Sequence, residues 1–214
     1  SNIDPLKTYN EVKQAAEMLV DPKSIEAGDY DIVLTPYAFF ELMEMLLFYG
    51  MATLPYVENH SAMTGKLDTK IFGDLFNLEE NAFEEGAGGM PFDYEGMPRK
   101  KVSLIEKGIL KAFVHDRKTA QKMNCETTGH SLGEPNTWGP IILNPVVKGG
   151  DSSPDEMISS IKKGLYIRKL HYSNLLNEKE LLLTGMTRDG VFYVEDGKIK
   201  HPVTNMRYGE SLFK

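Results

Sequence analysis

The residues of this 214-residue chain best placed to do chemistry are two carboxylates on an apolar helix. The stretch Asp31-Ile-Val-Leu-Thr-Pro-Tyr-Ala-Phe-Phe-Glu-Leu-Met-Glu-Met-Leu-Leu-Phe-Tyr-Gly50 reads as a buried strand, a capped start and a helix. Glu41 and Glu44 stand at i,i+3 and can share a face, which could hold a hard cation through oxygen ligands. The plainer reading leaves both as solvated or interface residues. Four histidines offer further chemistry. His60 follows Glu58-Asn59 in a loop and could touch a ligand in a cleft, or simply sit on the surface. His115-Asp116 ends a predicted hairpin, where Asp116 could fix the ring of His115 or make a structural hydrogen bond at a strand end. His171 and His201 read as structural or exposed. No His-x-x-x-His, Cys-x-x-Cys or Gly-x-Ser-x-Gly pattern occurs, and Gly86, Gly88 and Gly89 precede no Gly-Lys-Ser/Thr, so they form no phosphate loop.

The elements that must position these residues are short and mixed. Asp4-Pro5 is a helix start, and Leu6, Tyr9, Val12, Ala16 and Leu19 recur near helical spacing, predicting a helix over 5–20. Residues 30–34 are a buried strand, and Thr35-Pro36 to Gly50 is a second helix, apolar nearly all round and therefore expected in a core, with a subunit interface as the alternative. Leu67 to Leu78 is compatible with helix or strand, and residues 85–91 are loop by composition. Two hairpins turn at Lys107-Gly108 and Asp196-Gly197. They share the pattern apolar-Glu-x-Gly-x-apolar, read as common hairpin chemistry rather than a repeat, since repeat folds need more units. Ser153-Pro154-Asp155 caps a helix to about Lys163, and residues 164–170 are strand-like. Four helices and seven or more strands, mostly in hairpins, make an α+β fold with a large antiparallel part.

Composition narrows the function classes. The net charge of −7 disfavours nucleic-acid binding, which needs a basic face. Uninterrupted apolar runs stay below ~18 residues, so no membrane span is expected. The single Cys125 rules out an internal disulfide and a cysteine-rich metal cluster, and is compatible with the cytoplasm. The start Ser1-Asn2-Ile3, without Met or signal peptide, reads as the boundary of a fragment from a longer protein.

A family resemblance runs along the chain. Pro91-Phe92-Asp93-Tyr94-Glu95-Gly96-Met97-Pro98 resembles the PFDDEGxP loop of the TldD/PmbA family, the "modulator of DNA gyrase" peptidases. Leu104 to Asp116 resembles its LIExGxLxxxxHD hairpin, Gly164-Leu-Tyr-Ile167 its GLYV strand, and residues 184–190 and 194–199 its closing strands. The resemblance implies a strand-rich α+β C-terminal domain: a single domain over residues 1–214, with an N-terminal α/β domain before it and a last segment after it, neither contained in this chain. It also implies that the helix after Asp31-Ile-Val-Leu34 corresponds to the one carrying a His-Glu-x-x-x-His zinc motif in active subunits. Laid on that helix, the two histidine positions fall on Glu44 and Tyr49 and the glutamate position on Met45. The third zinc ligand of active subunits, a cysteine, would lie beyond Lys214, and Cys125 is far from its place.

The resemblance therefore implies a TldE/PmbA-like subunit of a cytoplasmic peptidase complex. It would bind no metal itself, would pair with a zinc-bearing TldD-like subunit or a second copy of itself, and would handle unfolded or modified peptides by strand addition. Glu41, His60, His115 and Asp116 are the candidate cleft residues. Two other readings stay open: a stand-alone carboxylate-dependent metallohydrolase using Glu41 and Glu44, and a homodimeric peptide-binding module.

Overall fold

The computed structural model describes residues 4–213. Ser1 to Ile3, on which the reading of the chain start rests, and Lys214 lie outside them. Contacts divide the chain into two compact units. One takes in the residues up to Met43, Asp151–Asn174 and Thr184–Gly209; the other takes in Glu44–Gly150, Leu175–Leu183 and the residues from Glu210. Among the described residues five α-helices, one π-helical turn and nine strands form an α+β fold, as expected.

The first unit is built on a five-stranded sheet. β1 (Asp31–Leu34), β6 (Lys163–Asn177), β7 (Leu182–Glu195) and β8 (Lys198–Pro202) lie in that order, and β9 (Arg207–Ser211) also pairs with β7. β1 runs parallel to β6, with Val33 opposite Tyr166. Alternation along these strands feeds two cores. Leu165, Ile167 and Val191 pack with Ala38 and Leu42 of α2 (Pro36–Met45), whereas Val33 and Val194 pack with Ile158 of α5 (Pro154–Ser160) and with Ile161. Ser153 caps α5 in a reciprocal box with Glu156. That helix ends at Ser160 rather than near Lys163, because Ile161 is already extended and Lys163 opens β6. α1 (Pro5–Met18) starts on the Asp4 carboxylate as expected, but its apolar stripe is open, with Leu6, Tyr9 and Val12 more than 60% exposed.

The second unit holds a four-stranded sheet in the order β4 (Ile109–Leu110), β3 (Val102–Glu106), β2 (Leu78–Glu80), β5 (Pro145–Val147), every pairing antiparallel. Leu67 to Leu78 is neither helix nor strand for most of its length. It lies along the β3–β4 hairpin through backbone bonds such as Ile71 N to Gly108 O and Leu110 N to Thr69 O. Two short helices, α3 (Thr53–Val57) and α4 (Arg117–Met123), lack the length to produce a readable periodicity. Leu46, Met51, Met63, Leu181 and Leu183 are among the core residues.

The helix predicted over 36–49 is less buried than its composition suggests. Tyr37, Phe40, Phe48 and Tyr49 are 84%, 53%, 46% and 39% exposed, which corrects the core expectation for these side chains. The helical segment Pro36–Val57, interrupted at Met51-Ala52, has 22 residues and is long and apolar enough to cross a membrane by length and composition. A count of uninterrupted apolar residues missed this because Glu41 and Glu44 break the run. Ala38, Met43, Leu46, Met51 and Thr53 are buried within protein, but only 33% of the segment's apolar window is.

Both hairpin turns adopt the conformation that their glycines predict, with φ of 48° and 74° at Lys107-Gly108 and 48° and 71° at Asp196-Gly197. A Cβ at Gly108 would lie 2.1 Å from Phe72 O, whereas Gly65, also at positive φ, has open space. Gly108→Ala is therefore expected to cost about 1–3 kcal/mol more stability than Gly65→Ala, the overpacking increment beyond a shared backbone penalty. Urea denaturation of the two variants checks this; equal losses would refute the steric account.

Candidate functional site

The helix that carries the two carboxylates does not end as an α-helix. After Met45 the backbone widens into a π-helical turn, Leu46–Gly50, closed by a bond of 2.8 Å from Met51 N to Leu46 O. Five residues on an α-helix turn through about 500°, leaving positions i and i+5 about 140° apart in azimuth. A π-turn instead bonds residues five apart and brings them near one face, an arrangement frequent at functional sites. Glu44, on the last turn of α2, and Tyr49, in the π-turn, are five apart, and the widened backbone between them brings them closer to one face than a straight α-helix would. The side chains do not supply the ligands. Glu44 and Tyr49 are exposed and Met45 is half-buried, offering a carboxylate, a phenol and a thioether. Among the described residues no group of three His, Cys, Asp or Glu side chains could hold a metal. This donor set does not fit zinc, which is bound by imidazole, thiolate or carboxylate groups, since a phenol and a thioether replace all but one of them.

Gly50 explains why the turn closes there. A Cβ on it would lie 3.0 Å from both Leu181 Cδ1 and Leu46 Cδ1, and 3.2 Å from Met63 Cε. Its φ is not in the left-handed region, so the requirement for glycine is one of space.

Glu41 is not paired with Glu44. Its Oε1 accepts from Ser173 N at 3.1 Å and Ser173 Oγ at 2.5 Å, and that hydroxyl also bonds Tyr208 Oη. Burial, with Glu41 nearby, pushes the Tyr208 phenol above its usual range, against the lowering by the Ser173 bond. Glu41 is thus half-buried and engaged by Ser173.

The densest polar arrangement lies in the second unit, around a histidine that no sequence pattern singles out. Glu80 on β2 is wholly buried. Its Oε1 accepts from Arg99 Nη1 at 3.2 Å and lies 3.3 Å from His130 Nε2, and its Oε2 accepts from Asn144 N at 2.8 Å. The buried Arg99 Nε has no partner among the described residues. His130 Nδ1 meets Thr128 Oγ1 at 2.9 Å, and the same hydroxyl accepts from His115 N at 2.6 Å. His115 Nδ1 lies 3.3 Å from Thr119 Oγ1, which in turn donates to Asp116 Oδ1 at 2.7 Å. Asp116 also accepts from Thr119 N at 2.6 Å and caps α4. Asp116 thus touches Thr119 rather than the His115 ring, so any orienting effect passes through the threonine hydroxyl.

The remaining expected cleft residue stands apart. His60 is exposed, and its backbone N–H bonds Pro55 O. His171 Nε2 accepts from Arg188 at 2.9 Å, and His201 stacks on Tyr193. In the Pro91–Pro98 loop, Asp93 is 2% exposed and takes three backbone N–H groups, from Glu95, Met97 and Ser131. That carboxylate fixes the loop and leaves Phe92 and Tyr94 exposed.

The family model described as the PmbA/TldA metallopeptidase C-terminal domain matches residues 27–214. The chain belongs to the PmbA/TldD metallopeptidase family. It is 29% identical over 161 residues to a metalloprotease of Methanocaldococcus jannaschii, covering 74% of this chain and 36% of that protein. It is 32% identical over 149 residues to a PmbA homologue of Buchnera aphidicola, covering 68% and 31%. The chain spans about a third of the length of these curated relatives. Two solved structures share its fold. A chain from Thermotoga maritima, named as a modulator of a DNA gyrase, superposes with a TM-score of 0.88 at 24% identity, over 99% of this chain and 48% of that one. TldE from Thermococcus kodakarensis gives 0.87 at 21%, with the same coverage.

Two outcomes follow from this PmbA/TldD geometry. Glu44→His with Tyr49→His is expected to make a two-histidine clamp on the π-turn. In a thermal melt, zinc at a hundredfold excess over its dissociation constant then adds about 2.7 kcal/mol; no shift would mean that the two positions diverge as on an α-helix. Burial, the largest influence on His115, holds its ring below the ordinary histidine value. Asp116 opposes this and His130 adds to it. A ring harder to protonate when folded contributes stability above the unfolded histidine pKa, and that contribution is lost as pH falls through its depressed folded value. His115→Gln is therefore expected to flatten the loss of urea stability below about pH 6.5; parallel pH profiles would count against it.

Proposed function

We propose that this chain is a non-catalytic or regulatory TldE/PmbA-like subunit of a peptidase complex that processes or degrades unfolded or modified peptides in the cytoplasm. The observation that supports the reading is the π-turn after Met45, together with a carboxylate, a thioether and a phenol at Glu44, Met45 and Tyr49, the positions that the family resemblance assigns to two ligands and a base. In such a complex the zinc and the glutamate that activates water belong to a His-Glu-x-x-x-His partner, and this chain contributes surface. Phe48, Tyr49 and Trp138 support that role: all three are exposed, and Phe48 packs edge-on against Trp138 at 5.0 Å. Exposed aromatics of this kind suit a partner interface. Strand addition has an available edge, since β5 is the outer strand of its sheet among the described residues. The engagement of Glu41 by Ser173 weighs against a stand-alone hydrolase that would need that carboxylate free.

The purified chain is expected to hold no stoichiometric zinc by elemental analysis and to cleave unstructured peptides only when mixed with a zinc-bearing partner. Zinc that disappears on changing Glu44, or chelator-sensitive cleavage by this chain alone, would defeat the proposal.

A further inference from the structure

Within the first unit an open groove of about 430 Å³ lies between α1, the start of α2, β6 and β7, a volume in the range of small-ligand sites. One wall is aliphatic. Val12, Ala15, Ala16 and Leu19 recur at helical spacing on α1, the first and third of them exposed and the other two half-buried. Tyr37, the second residue of α2, stands with them. The other wall is polar, with Arg168 and Lys169 of β6 and Asp189 of β7. Arg168 is held in place there. Its carbonyl accepts from Thr35 Oγ1 at 2.5 Å, and its aliphatic stem lies against Gly190 of β7. A Cβ on Gly190 would stand 2.8 Å from Arg168 Cδ and 3.2 Å from its Cγ, and the φ of Gly190 is 127°, so space and backbone both require glycine. The half-buried Arg168 makes no side-chain hydrogen bond or ion pair among the described residues. The acid of the groove is engaged elsewhere: Asp189 lies 3.6 Å from Lys169 Nζ and 3.7 Å from Arg188 Nε.

The lining therefore carries two cations against one acid, and the surplus positive charge is the unpaired guanidinium of Arg168. A guanidinium offers paired N–H donors that match a planar carboxylate. One surplus charge suits a monoanion better than a phosphate dianion, and the aliphatic wall suits a carboxylate carried directly on an apolar group. A groove of this volume holds one or two residues rather than a long segment. We infer that it binds an aliphatic monocarboxylate in the form of a peptide's C-terminal residue, with the carboxylate on Arg168 and the aliphatic side chain against Val12, Ala16 and Leu19. This rests on the peptide-handling reading above and names the end of the peptide that is held.

The test uses the full chain and a peptide with fluorescein on its N-terminus, ending in Ser-Ala-Leu with a free carboxylate, followed by anisotropy. Saturable binding is expected. Amidation of the peptide's C-terminus, Arg168→Gln and Ala16→Glu are each expected to weaken it about tenfold or more, since each removes or opposes a charge-assisted bond. Arg168→Lys keeps the charge and loses the paired donors, so it is expected to bind between Arg168→Gln and the parent chain. Ala16 is exposed on α1 and glutamate is a good helix former, so Ala16→Glu leaves the thermal midpoint in place. No saturable binding, equal binding of the amidated peptide, or parent-like binding by Arg168→Gln or by Ala16→Glu would overturn the inference. So would displacement of the labelled peptide by sodium octanoate at a lower concentration than the unlabelled peptide needs, which would assign the groove to free aliphatic acids. Zinc content and partner-dependent cleavage are read separately, so a chain that fails to bind the peptide yet gains activity only with its partner loses this inference and keeps the subunit reading.

Discussion

One wholly buried carboxylate constrains the second unit. A charge taken out of water needs partners on every oxygen, and losing one partner of such a set typically costs about 3–5 kcal/mol. Glu80 meets that demand with donors from distant parts of the chain: the Arg99 guanidinium, the His130 ring and the Asn144 backbone. Its burial therefore ties β2 to the segment after the Pro91–Pro98 loop, to the polar run after α4 and to the approach to β5. The same set passes through Thr128 to His115 and so to the start of α4. Asp93 repeats the device on a smaller scale, one buried carboxylate fixing a loop through three backbone donors.

Buried polar sets like this give a unit with little regular structure a defined shape. The second unit has only short strands and two helices of five and seven residues besides the π-turn and the end of α2. Apart from β2, its long stretches between Val57 and Val102 are held by side-chain and backbone bonds rather than by regular ladders. Hydrogen bonds to charged groups are stronger than neutral ones, which suits them to fixing loops that lack a repeating pattern of their own.

The sequence makes local chemistry legible and leaves long-range pairing hidden. Lys107-Gly108 and Asp196-Gly197 announce their turns because the turn type demands glycine within two residues. The caps at Asp4 and Ser153 are equally local. Glu80, Arg99 and His130 stand 19 and 50 positions apart from Glu80, and nothing in their spacing marks them as neighbours. Gly129 is the nearest available signal. Its φ is 71° and a Cβ there would lie 2.3 Å from Pro98 O, so the glycine records a close backbone approach beside His130. The engagement of Glu41 is hidden for a related reason: its partner Ser173 lies 132 residues away. The exposure of Phe40 and Phe48 was hidden too, since an apolar helix in a core and one awaiting an interface share a composition.

The π-turn is held in place by packing rather than by polar side chains. A π-turn is rare and short, and its surroundings decide where it forms. Here the surroundings are apolar. Gly50 gives up its Cβ to Leu46, Met63 and Leu181, and Leu46 and Leu181 are themselves buried. None of these contacts involves Glu44, Met45 or Tyr49. The shape of the turn is thus held from its core side, while the residues at the motif positions lie exposed or half-buried and are free to change. Packing holds one face of the turn and leaves Glu44 and Tyr49 exposed on the other, so changes at those two positions need not disturb the fold.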